Sequence, residues 1–288
     1  MRRSLVLSAA LSVAALTLAA CSSGTGTANS ASPSGSASCS KGSLATTTAN
    51  TLTIGTDDPA YSPYFVDSKP ANGKGFESAV AFAVAKQLGY SPSEVVWKVK
   101  HFDSVVAGNV SGVDFVINQV SITSDRQKVV DFSDGYYDVN QAVVAVKGGS
   151  GANATSFSAL KQLKLGAQSA TTSLTWINDV VAPTQTPQVY NNTNDAIKAL
   201  EAKQIDAIVV DLPTAFYVTA AQMNDGVIVG QAKTGGATGD QFGMVLSKGS
   251  SLTKCVNTAL AALKSSGELQ SITDKWLSSV AGAPYLTQ

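Results

Sequence analysis

Two successive runs of alternating strand and helix patterns limit the fold of this chain more than any other feature. In the first run, short apolar segments such as Leu52–Gly55 alternate with helical segments such as Gly75–Leu88, which is followed by a glycine. The glycine-rich segment Lys147–Ala152 interrupts the pattern, and a second run then includes a helical segment over Asn194–Lys203 and a strand over Ile205–Val210. Such alternation is typical of α/β layers around parallel strands. The sequence therefore predicts an α/β fold with two lobes, each an open, mainly parallel sheet flanked by helices.

Polar segments follow several of the predicted strands. In open α/β sheets, ligands bind beyond the carboxyl ends of the strands. The segments at such ends are Asp57–Asp58, Asn118–Ser121, Gln168–Thr172 and Asp211. Because these segments come from both runs, the sequence predicts a binding cleft between the two lobes.

Arg126 is the only arginine after the N-terminal leader. A planar guanidinium holds a carboxylate through two parallel hydrogen bonds, which a lysine cannot reproduce. The segment Ser121–Asp125 predicts the start of a short helix with Thr123 as its N-cap, where free backbone N–H groups favour an anion. We therefore predict that Arg126 binds an anionic group of a ligand. The alternative is an ordinary surface ion pair, for which Asp131 is the nearest candidate in sequence.

The N-terminus predicts export. Two arginines precede the apolar segment Leu5–Leu16, which is too short to span a bilayer as a stable anchor. The segment Leu18–Cys21 resembles a bacterial lipobox, which implies that residues 1–20 are a signal peptide and that Cys21 carries a lipid. Residues 21–43 are rich in serine, glycine and threonine and predict a flexible tether. We expect a protein anchored by lipid to the outer face of the cytoplasmic membrane; ordinary secretion with a coincidental cysteine is the alternative.

The remaining cysteines are consistent with export. With Cys21 lipidated, Cys39 and Cys255 remain as a pair in an oxidising compartment, and we predict a disulfide between them. By the chain-entropy argument, closing so long a loop would stabilise the fold by about 4–5 kcal/mol, and by less if the ends are already restrained. The alternative is that Cys255 is a small buried helical residue and Cys39 a bystander in the tether.

Composition argues against several other classes of function. The chain has 20 basic and 20 acidic side chains and no basic cluster, so we expect no nucleic-acid partner. His101 is the only histidine, and no pair of cysteines has the spacing of metal ligands. The sequence therefore predicts neither a metal site nor a cofactor.

A set of short motifs in order along the chain resembles a known family. The motifs are Gly55–Asp57 with the aromatic run Tyr61–Phe65, Gly75–Glu77, Phe102–Asp103, Ser121–Arg126, Asp131–Tyr137 and Ile205–Asp211. The most specific is the block Ser-Ile-Thr-x-x-Arg with the following Phe-Ser-x-x-Tyr. From about Leu52 to Leu277 the chain resembles the family 3 solute-binding proteins, the extracytoplasmic receptors of polar amino-acid ABC importers.

This resemblance implies an amino-acid ligand held by fixed charges. Arg126 holds the position of the arginine that binds the α-carboxylate. Ser121 from the first lobe and Thr171 from the second would contact the same group. Asp211 would accept hydrogen bonds from the α-ammonium. A zwitterion needs one fixed cation and one fixed anion in a drained cleft, so the physical argument agrees with the resemblance.

The resemblance also implies which residues surround the rest of the ligand. Tyr61 and Phe102 would form its apolar walls, although either could be a plain core residue. The other residues predicted to contact the ligand are Asp57, Asn118, Gln119 and Thr172. Asn118 and Gln119 are larger than is usual for the family at these positions, so the resemblance predicts the class of ligand and not its identity.

The resemblance implies a division of the chain and a mechanism. We expect lobe 1 to contain residues 44–141 with 242–288, and lobe 2 to contain residues 142–241. The segments Gln141–Val146 and Phe242–Leu246 would connect the lobes, which would close on the ligand like a hinge. A monomeric receptor would then deliver the ligand to an ABC permease and its ATPase.

Two other functions are compatible with the same scaffold. A dehydratase or a peptidoglycan-cleaving enzyme would need a general acid or base, for which Glu77, His101, Asp103 and the aspartates at the strand ends are candidates. No complete catalytic set accompanies these residues, so we expect no enzyme. A ligand sensor without transport would have the same binding residues, and the sequence does not distinguish it from a transport receptor.

Overall fold

The computed structural model describes residues 39–234, 240–277 and 282–288. The predicted signal peptide, Cys21 and most of the predicted tether lie outside the described residues. Within the described ranges, no helix combines the length and the apolar character needed to cross a bilayer.

Strands and helices alternate along most of the described chain. The strands are β1 (Leu52–Thr56), β2 (Val95–Val99), β3 (Phe115–Val116), β4 (Val130–Phe132), β5 (Tyr137–Val139), β6 (Gln141–Val146), β7 (Leu165–Gln168), β8 (Gln188–Tyr190), β9 (Ala207–Asp211), β10 (Gly226–Ala232), β11 (Asp240–Phe242) and β12 (Val245–Ser247). The α-helices are α1 (Phe76–Gln87), α2 (Phe102–Val106), α3 (Phe157–Leu160), α4 (Thr172–Trp176), α5 (Thr193–Glu201), α6 (Leu212–Tyr217), α7 (Leu252–Ser265) and α8 (Glu268–Leu277). The order of elements agrees with the predicted alternation.

The strands form two five-stranded sheets and a two-stranded ribbon of β5 and β11. The first sheet has the order β2-β1-β3-β12-β4, and the second has the order β10-β6-β9-β7-β8. We call each sheet with its helices a lobe. The predicted α/β fold with two open sheets is confirmed. Each sheet is mixed, because β12 and β6 run antiparallel to both their neighbours. Both strands enter their sheet directly from the ribbon, without the crossover helix that a parallel pairing requires.

The chain passes between the sheets through the ribbon, in which Tyr137 pairs with Phe242 and Val139 with Asp240. The segment Gln141–Val146, predicted as one of the connections, is instead β6, a largely buried strand that pairs with β9 and β10. That prediction is wrong because so apolar a segment is stabilised more by burial inside a sheet than by crossing between lobes.

The second predicted connection, Phe242–Leu246, is divided between two strands. Phe242 ends β11, and Val245 begins β12 in the first sheet. At Gly243, between them, a Cβ atom would lie 2.8 Å from the side chain of Ile122, so the chain passes close to its neighbours as it enters the first lobe. Only the beginning of this segment therefore belongs to the crossing.

The C-terminal tail lies on the second lobe. The backbone N–H of Gln231 donates to the carbonyl of Pro284 at 2.8 Å, and the N–H of Leu286 donates to the carbonyl of Gln231 at 2.9 Å. The predicted boundary placed all of residues 242–288 in lobe 1. The tail departs from it because β10 is an edge strand, whose unpaired backbone groups can accept another segment.

Helix α1 shows how the sequence positions an element beside the cleft. Its first residue follows Gly75, which has a φ of +102°, and a Cβ atom there would lie only 2.3 Å from the carbonyl oxygen of Tyr64. Glycine is therefore required for this close approach. The helix ends before Gly89, whose φ of +88° is typical of a C-terminal stop signal. Because α1 begins at Phe76, Glu77 lies in its first turn, where it is fully buried.

The predicted disulfide between Cys39 and Cys255 is present, with Cα atoms 5.3 Å apart. It ties the start of the described chain to α7. Cys255 is also a buried helical residue, at 4% exposure, so part of the alternative prediction applies as well.

Replacing both cysteines by serine should lower the free energy of unfolding by about 2–4 kcal/mol. The bond joins residues 216 apart in sequence, so its removal returns much conformational freedom to the unfolded chain. Equilibrium urea unfolding of the double variant measures the loss. Wild type under reducing conditions is the control and should match the double variant. A loss below about 0.5 kcal/mol would contradict this prediction.

Candidate functional site

A cavity of about 60 Å³ lies between the two lobes. Its lining residues are Asp57, Tyr61, Phe102, Asn118, Gln119, Arg126, Gln168, Thr171, Thr172, Ser173, Thr193, Val209, Val210, Asp211 and Thr214. Of the ten residues predicted to contact a ligand, all except Ser121 are in this set. The carboxyl ends of strands from both sheets therefore meet here, as the strand-end argument predicted.

Arg126 begins a short 3-10 turn, Arg126–Lys128, whose N-cap position is Asp125 and not the predicted Thr123. The hydroxyl of Thr123 accepts a hydrogen bond from the backbone N–H of Arg126 at 3.3 Å, so Thr123 still satisfies a donor at the start of the turn. This local turn directs the guanidinium into the cleft, where only 8% of the residue is exposed.

The guanidinium of Arg126 contacts both lobes. Its Nη1 donates to the carbonyl of Ser121 at 2.7 Å, and its Nη2 donates to the carbonyl of Ala170 on the second lobe at 2.8 Å. It also lies over the ring of Phe102, 5.4 Å from the ring centroid. These contacts orient the guanidinium and use part of its five N–H groups, so further donors remain for an anion.

Arg126 forms no ion pair with any residue that the structure describes. The predicted alternative partner, Asp131, instead binds Lys248 at 3.1 Å. Burial lowers the pKa of Arg126 to about 10, although the charges of Asp211 and Asp240 act in the opposite direction. The guanidinium therefore stays charged at neutral pH and makes this end of the cavity positive.

Hydroxyl groups from both lobes lie near this positive end. The Oγ of Ser121 lies 3.3 Å from the Oγ1 of Thr172 across the cleft. The hydroxyl of Thr171 is engaged locally, because it donates to the carbonyl of Gln168 at 2.7 Å and accepts from the N–H of Leu174 at 3.1 Å. Thr171 thus lines the cavity and caps α4, while Thr172 provides the second-lobe hydroxyl that faces Ser121.

Asp211 lies at the end of β9, directly before α6. The side-chain amide of Gln141 donates to its Oδ1 at 2.7 Å, and Ser173 in turn donates to Gln141. Burial raises the pKa of Asp211 to about 7, and the charge of Asp240 acts in the same direction. The hydrogen bond from Gln141 and the charge of Arg126 act in the opposite direction. The second lobe therefore presents a carboxyl whose ionisation near neutral pH depends on a nearby positive charge.

Asp57 contributes to the cavity mainly by positioning its aromatic wall. Its Oδ2 accepts from the backbone N–H of Phe102 at 3.0 Å, and its Oδ1 lies 3.0 Å from Nδ1 of His101. Phe102 is 8% exposed and belongs to a core cluster of the first lobe as well as to the cavity wall. Tyr61 also lines the cavity, so two aromatic rings lie on its wall.

The lobes also touch around the cavity. Ser169 donates to Asp103 at 2.8 Å, and the hydroxyls of Tyr64 and Thr214 lie 3.2 Å apart. Together with the bond from Arg126 to Ala170, these contacts join the first lobe directly to the second. The structure is therefore a closed arrangement of the lobes.

The sequence missed several lining residues. These are Gln168, Ser173, Thr193, Val209, Val210 and Thr214. Gln168 was within a predicted strand-end segment, which was a usable signal. Ser173, Thr193 and Thr214 lie in the first turns of α4, α5 and α6, and no motif distinguishes them from other helical hydroxyl residues.

Of the candidate acids and bases of an enzyme, the strand-end residues Asp57 and Asp211 line the cavity, whereas Glu77, His101 and Asp103 do not. Glu77 is fully buried and does not line the cavity. Asp103 accepts from Ser169, and His101 has a side chain that is 71% exposed. The cavity instead presents fixed polar contacts from both lobes around a small enclosed volume.

A cleft closed between two α/β lobes, with a buried guanidinium on one side and a carboxyl on the other, defines a ligand-binding protein with two lobes. The model of the bacterial extracellular solute-binding proteins, family 3, matches residues 52–279. The chain belongs to this family, whose members are extracytoplasmic binding proteins.

Individual relatives agree with the family. The L-cystine-binding protein TcyJ of Escherichia coli strain K12 is 29% identical over 228 residues, which cover 78% of this chain and 82% of TcyJ. The ABC transporter glutamine-binding protein GlnH of Bacillus subtilis strain 168 is 27% identical over 212 residues, covering 72% and 75% of the two chains. The structure of an ancestral arginine-binding protein bound to glutamine has a TM-score of 0.67 and 32% identity, and the match covers 79% of this chain and 98% of that one. These relatives are binding proteins and not enzymes.

Proposed function

We propose that this protein captures an amino acid, or a close derivative of one, in the cavity between its lobes and delivers it to an ABC permease. The observation that carries the proposal is that Arg126 and Asp211, from opposite lobes, face the same closed cavity. The α-carboxylate would take the free donors of Arg126, and the α-ammonium would donate to Asp211. Charge-assisted hydrogen bonds are stronger in such an enclosed site than at a surface.

Binding would close the two lobes about the β5–β11 ribbon. A ligand that bridges Arg126 and Asp211 makes contacts with both lobes only in the closed form, so its differential affinity stabilises that form. The contact of Ser121 with Thr172 lies beside the proposed carboxylate position. Closure would present one defined shape to the permease, whose ATPase drives transport. We propose that the receptor acts as a monomer.

The side-chain end of the ligand would meet a polar wall with two aromatic rings. Asp57, Asn118, Gln119 and Gln168 provide polar groups, and Tyr61 and Phe102 provide ring faces. The relatives are named for cystine, glutamine and arginine, all of which carry a long side chain with polar atoms. This combination supports a polar amino acid over a small apolar one.

The direct test is a thermal-shift screen against the proteinogenic amino acids, cystine and common opines, followed by calorimetry. We expect at least one amino acid to raise the melting temperature and to bind with one-to-one stoichiometry. A deletion strain should also lose uptake of that ligand, which distinguishes transport from sensing. If no α-amino acid binds, or if the deletion strain takes up the ligand normally, the corresponding part of the proposal is wrong.

Membrane attachment through Cys21 is the second part of the proposal. The supporting feature is the lipobox-like segment Leu18–Cys21, followed by a tether over residues 21–43. We expect cells grown with an alkyne fatty acid to label the wild-type protein and not the Cys21→Ser variant. Mass spectrometry should show that the mature protein begins at residue 21. Equal labelling of both proteins would contradict lipidation at this residue.

A further inference from the structure

Glu77 is a fully buried carboxylate directly behind the wall of the cavity. It accepts three hydrogen bonds, two of them from a single residue. The backbone N–H of Gln119 donates to its Oε1 at 2.7 Å, and the side-chain amide of Gln119 donates to its Oε2. The hydroxyl of Tyr136 donates to Oε1 as well. None of the residues that the structure describes forms an ion pair with Glu77, so neutral donors alone hold this carboxylate.

The residue that Glu77 holds has an unusual backbone conformation. Gln119 has a φ of +47°, in the left-handed region that costs conformational energy for residues with a side chain. Such a conformation persists only where the surroundings determine it. The carboxylate of Glu77 meets both the N–H and the side-chain amide of Gln119, so it restrains the backbone and the side chain at once.

Gln119 and its neighbour Asn118 both line the cavity. The direction in which this part of the wall faces the ligand therefore depends on the peptide and side chain that Glu77 restrains. Without that restraint, Gln119 could leave the left-handed region, and both residues would turn relative to Arg126 and Asp211. We call the pair Asn118 and Gln119 the amide wall.

We propose that Glu77 is a positioning residue for ligand binding, which holds the amide wall in the conformation that meets the ligand's side chain. The inference rests on the proposed function, because the amide wall affects binding only if the ligand occupies this cavity. Glu77 does not itself touch the cavity. It acts through the two hydrogen bonds that it accepts from Gln119.

The titration of Glu77 offers an independent readout of this contact. Burial raises the pKa of Glu77 to about 7, although the hydrogen bonds from Tyr136 and Gln119 lower it. The other ionisable groups that face it are Tyr64, Tyr136 and Asp211. Burial raises the pKa of both tyrosines well above 10, so only Asp211 titrates in the same pH range. An Asp211→Asn background removes that overlap.

The first experiment uses the ligand-free protein. In an Asp211→Asn background, we expect the backbone amide resonance of Gln119 in a ¹H–¹⁵N NMR spectrum to shift as the pH is changed from 6 to 8, because protonation of Glu77 weakens the bond to this amide. The added Glu77→Gln substitution should abolish the shift. If the resonance does not move, or moves equally with Gln at position 77, the positioning role is wrong. Because no ligand is used, this result is separate from success or failure of the proposed function.

The second experiment measures affinity by calorimetry, with L-glutamine, L-arginine and L-cystine as probes. Glu77→Gln is nearly isosteric but presents an amide to the donors of Gln119, and we expect it to weaken binding of the best probe by at least tenfold. Gln119→Ala keeps the backbone N–H but removes the side-chain amide that Glu77 holds, so it should cost a similar factor. The double variant should cost little more than either change alone, because both changes break this side-chain contact. If the double variant loses affinity by the product of the two single losses, the proposal is wrong.

A matched control separates positioning from loss of stability. Tyr136→Phe removes one hydrogen bond at the same carboxylate without changing Gln119, so it should lower the melting temperature and leave probe affinity within threefold. If Glu77→Gln also lowers only the melting temperature, Glu77 is merely structural. If Glu77→Gln fails to fold, Glu77→Asp provides the test, because its shorter side chain cannot reach both donors of Gln119. Unchanged probe affinity in Glu77→Asp would overturn the proposal.

Discussion

Arg126→Ala should weaken ligand binding by about 2–5 kcal/mol, a loss of roughly 30-fold to several thousand-fold in affinity. The guanidinium is only 8% exposed and is oriented by the carbonyls of Ser121 and Ala170. Removing it would leave the ligand's carboxylate desolvated and without a charged partner. Calorimetry with the ligand identified by screening measures the effect.

Two variants at the same turn make this prediction specific. Arg126→Lys keeps the positive charge but loses the planar fork, so an intermediate loss is expected. Lys128→Ala removes a nearby cation whose side chain is 73% exposed and which, among the described residues, forms an ion pair only with Asp125, so the variant should bind as wild type does. If Arg126→Ala binds within threefold of wild type while remaining folded, the assignment of the carboxylate site to Arg126 is wrong.

Asp211→Asn should produce the second large effect, again about 2–5 kcal/mol, for ligands that carry an α-ammonium group. Asparagine can still accept from Gln141, so the local structure is retained while the negative charge is lost. Analogues without the α-ammonium should bind the variant and the wild type with similar affinity. Competition between an amino acid and its desamino analogue measures this difference. An equal loss for both kinds of ligand would contradict the role of Asp211.

The pH dependence of binding follows from the same residue. In the free protein, burial raises the pKa of Asp211 to about 7, so the protonated form dominates below that pH. A bound ammonium favours the ionised form, and binding must therefore release a proton below about pH 7. Affinity should fall by up to about tenfold for each unit that the pH drops below 7 and should level off above it. Calorimetry from pH 5 to 8 checks this, and the Asp211→Asn variant should show a smaller slope.

Much of the candidate site could be predicted from the sequence because its chemistry depends on residue type. The lone arginine after the predicted leader indicated an anion site, and the polar segments after strands indicated a cleft. The order of the motifs indicated the family and assigned Asp211 to the second lobe. These predictions used local spacing and composition, and the structure brings Arg126 and Asp211 to one cavity.

Other features of the site could not be predicted, because they depend on contacts between distant parts of the chain. Gln141 supports Asp211 from 70 residues away in sequence, and Glu77 holds Gln119 across 42 residues. In the sequence, Glu77 was a candidate general acid or base. The structure instead buries it behind the amide wall. Similarly, the carbonyl of Ala170 contacts Arg126 only because two lobes meet.

The connection between the lobes also shows what the sequence could predict and what it could not. The apolar segment Gln141–Val146 is an extended strand, a conformation that its local composition favours. Whether an extended segment pairs inside a sheet or bridges two lobes depends on its neighbours, which the sequence does not order in space. The sequence alone therefore determined the residue types, the alternation of elements and the charges available for binding. Only the tertiary structure decided which strands cross, which carboxylates are buried and which donors face them, because those outcomes depend on long-range packing.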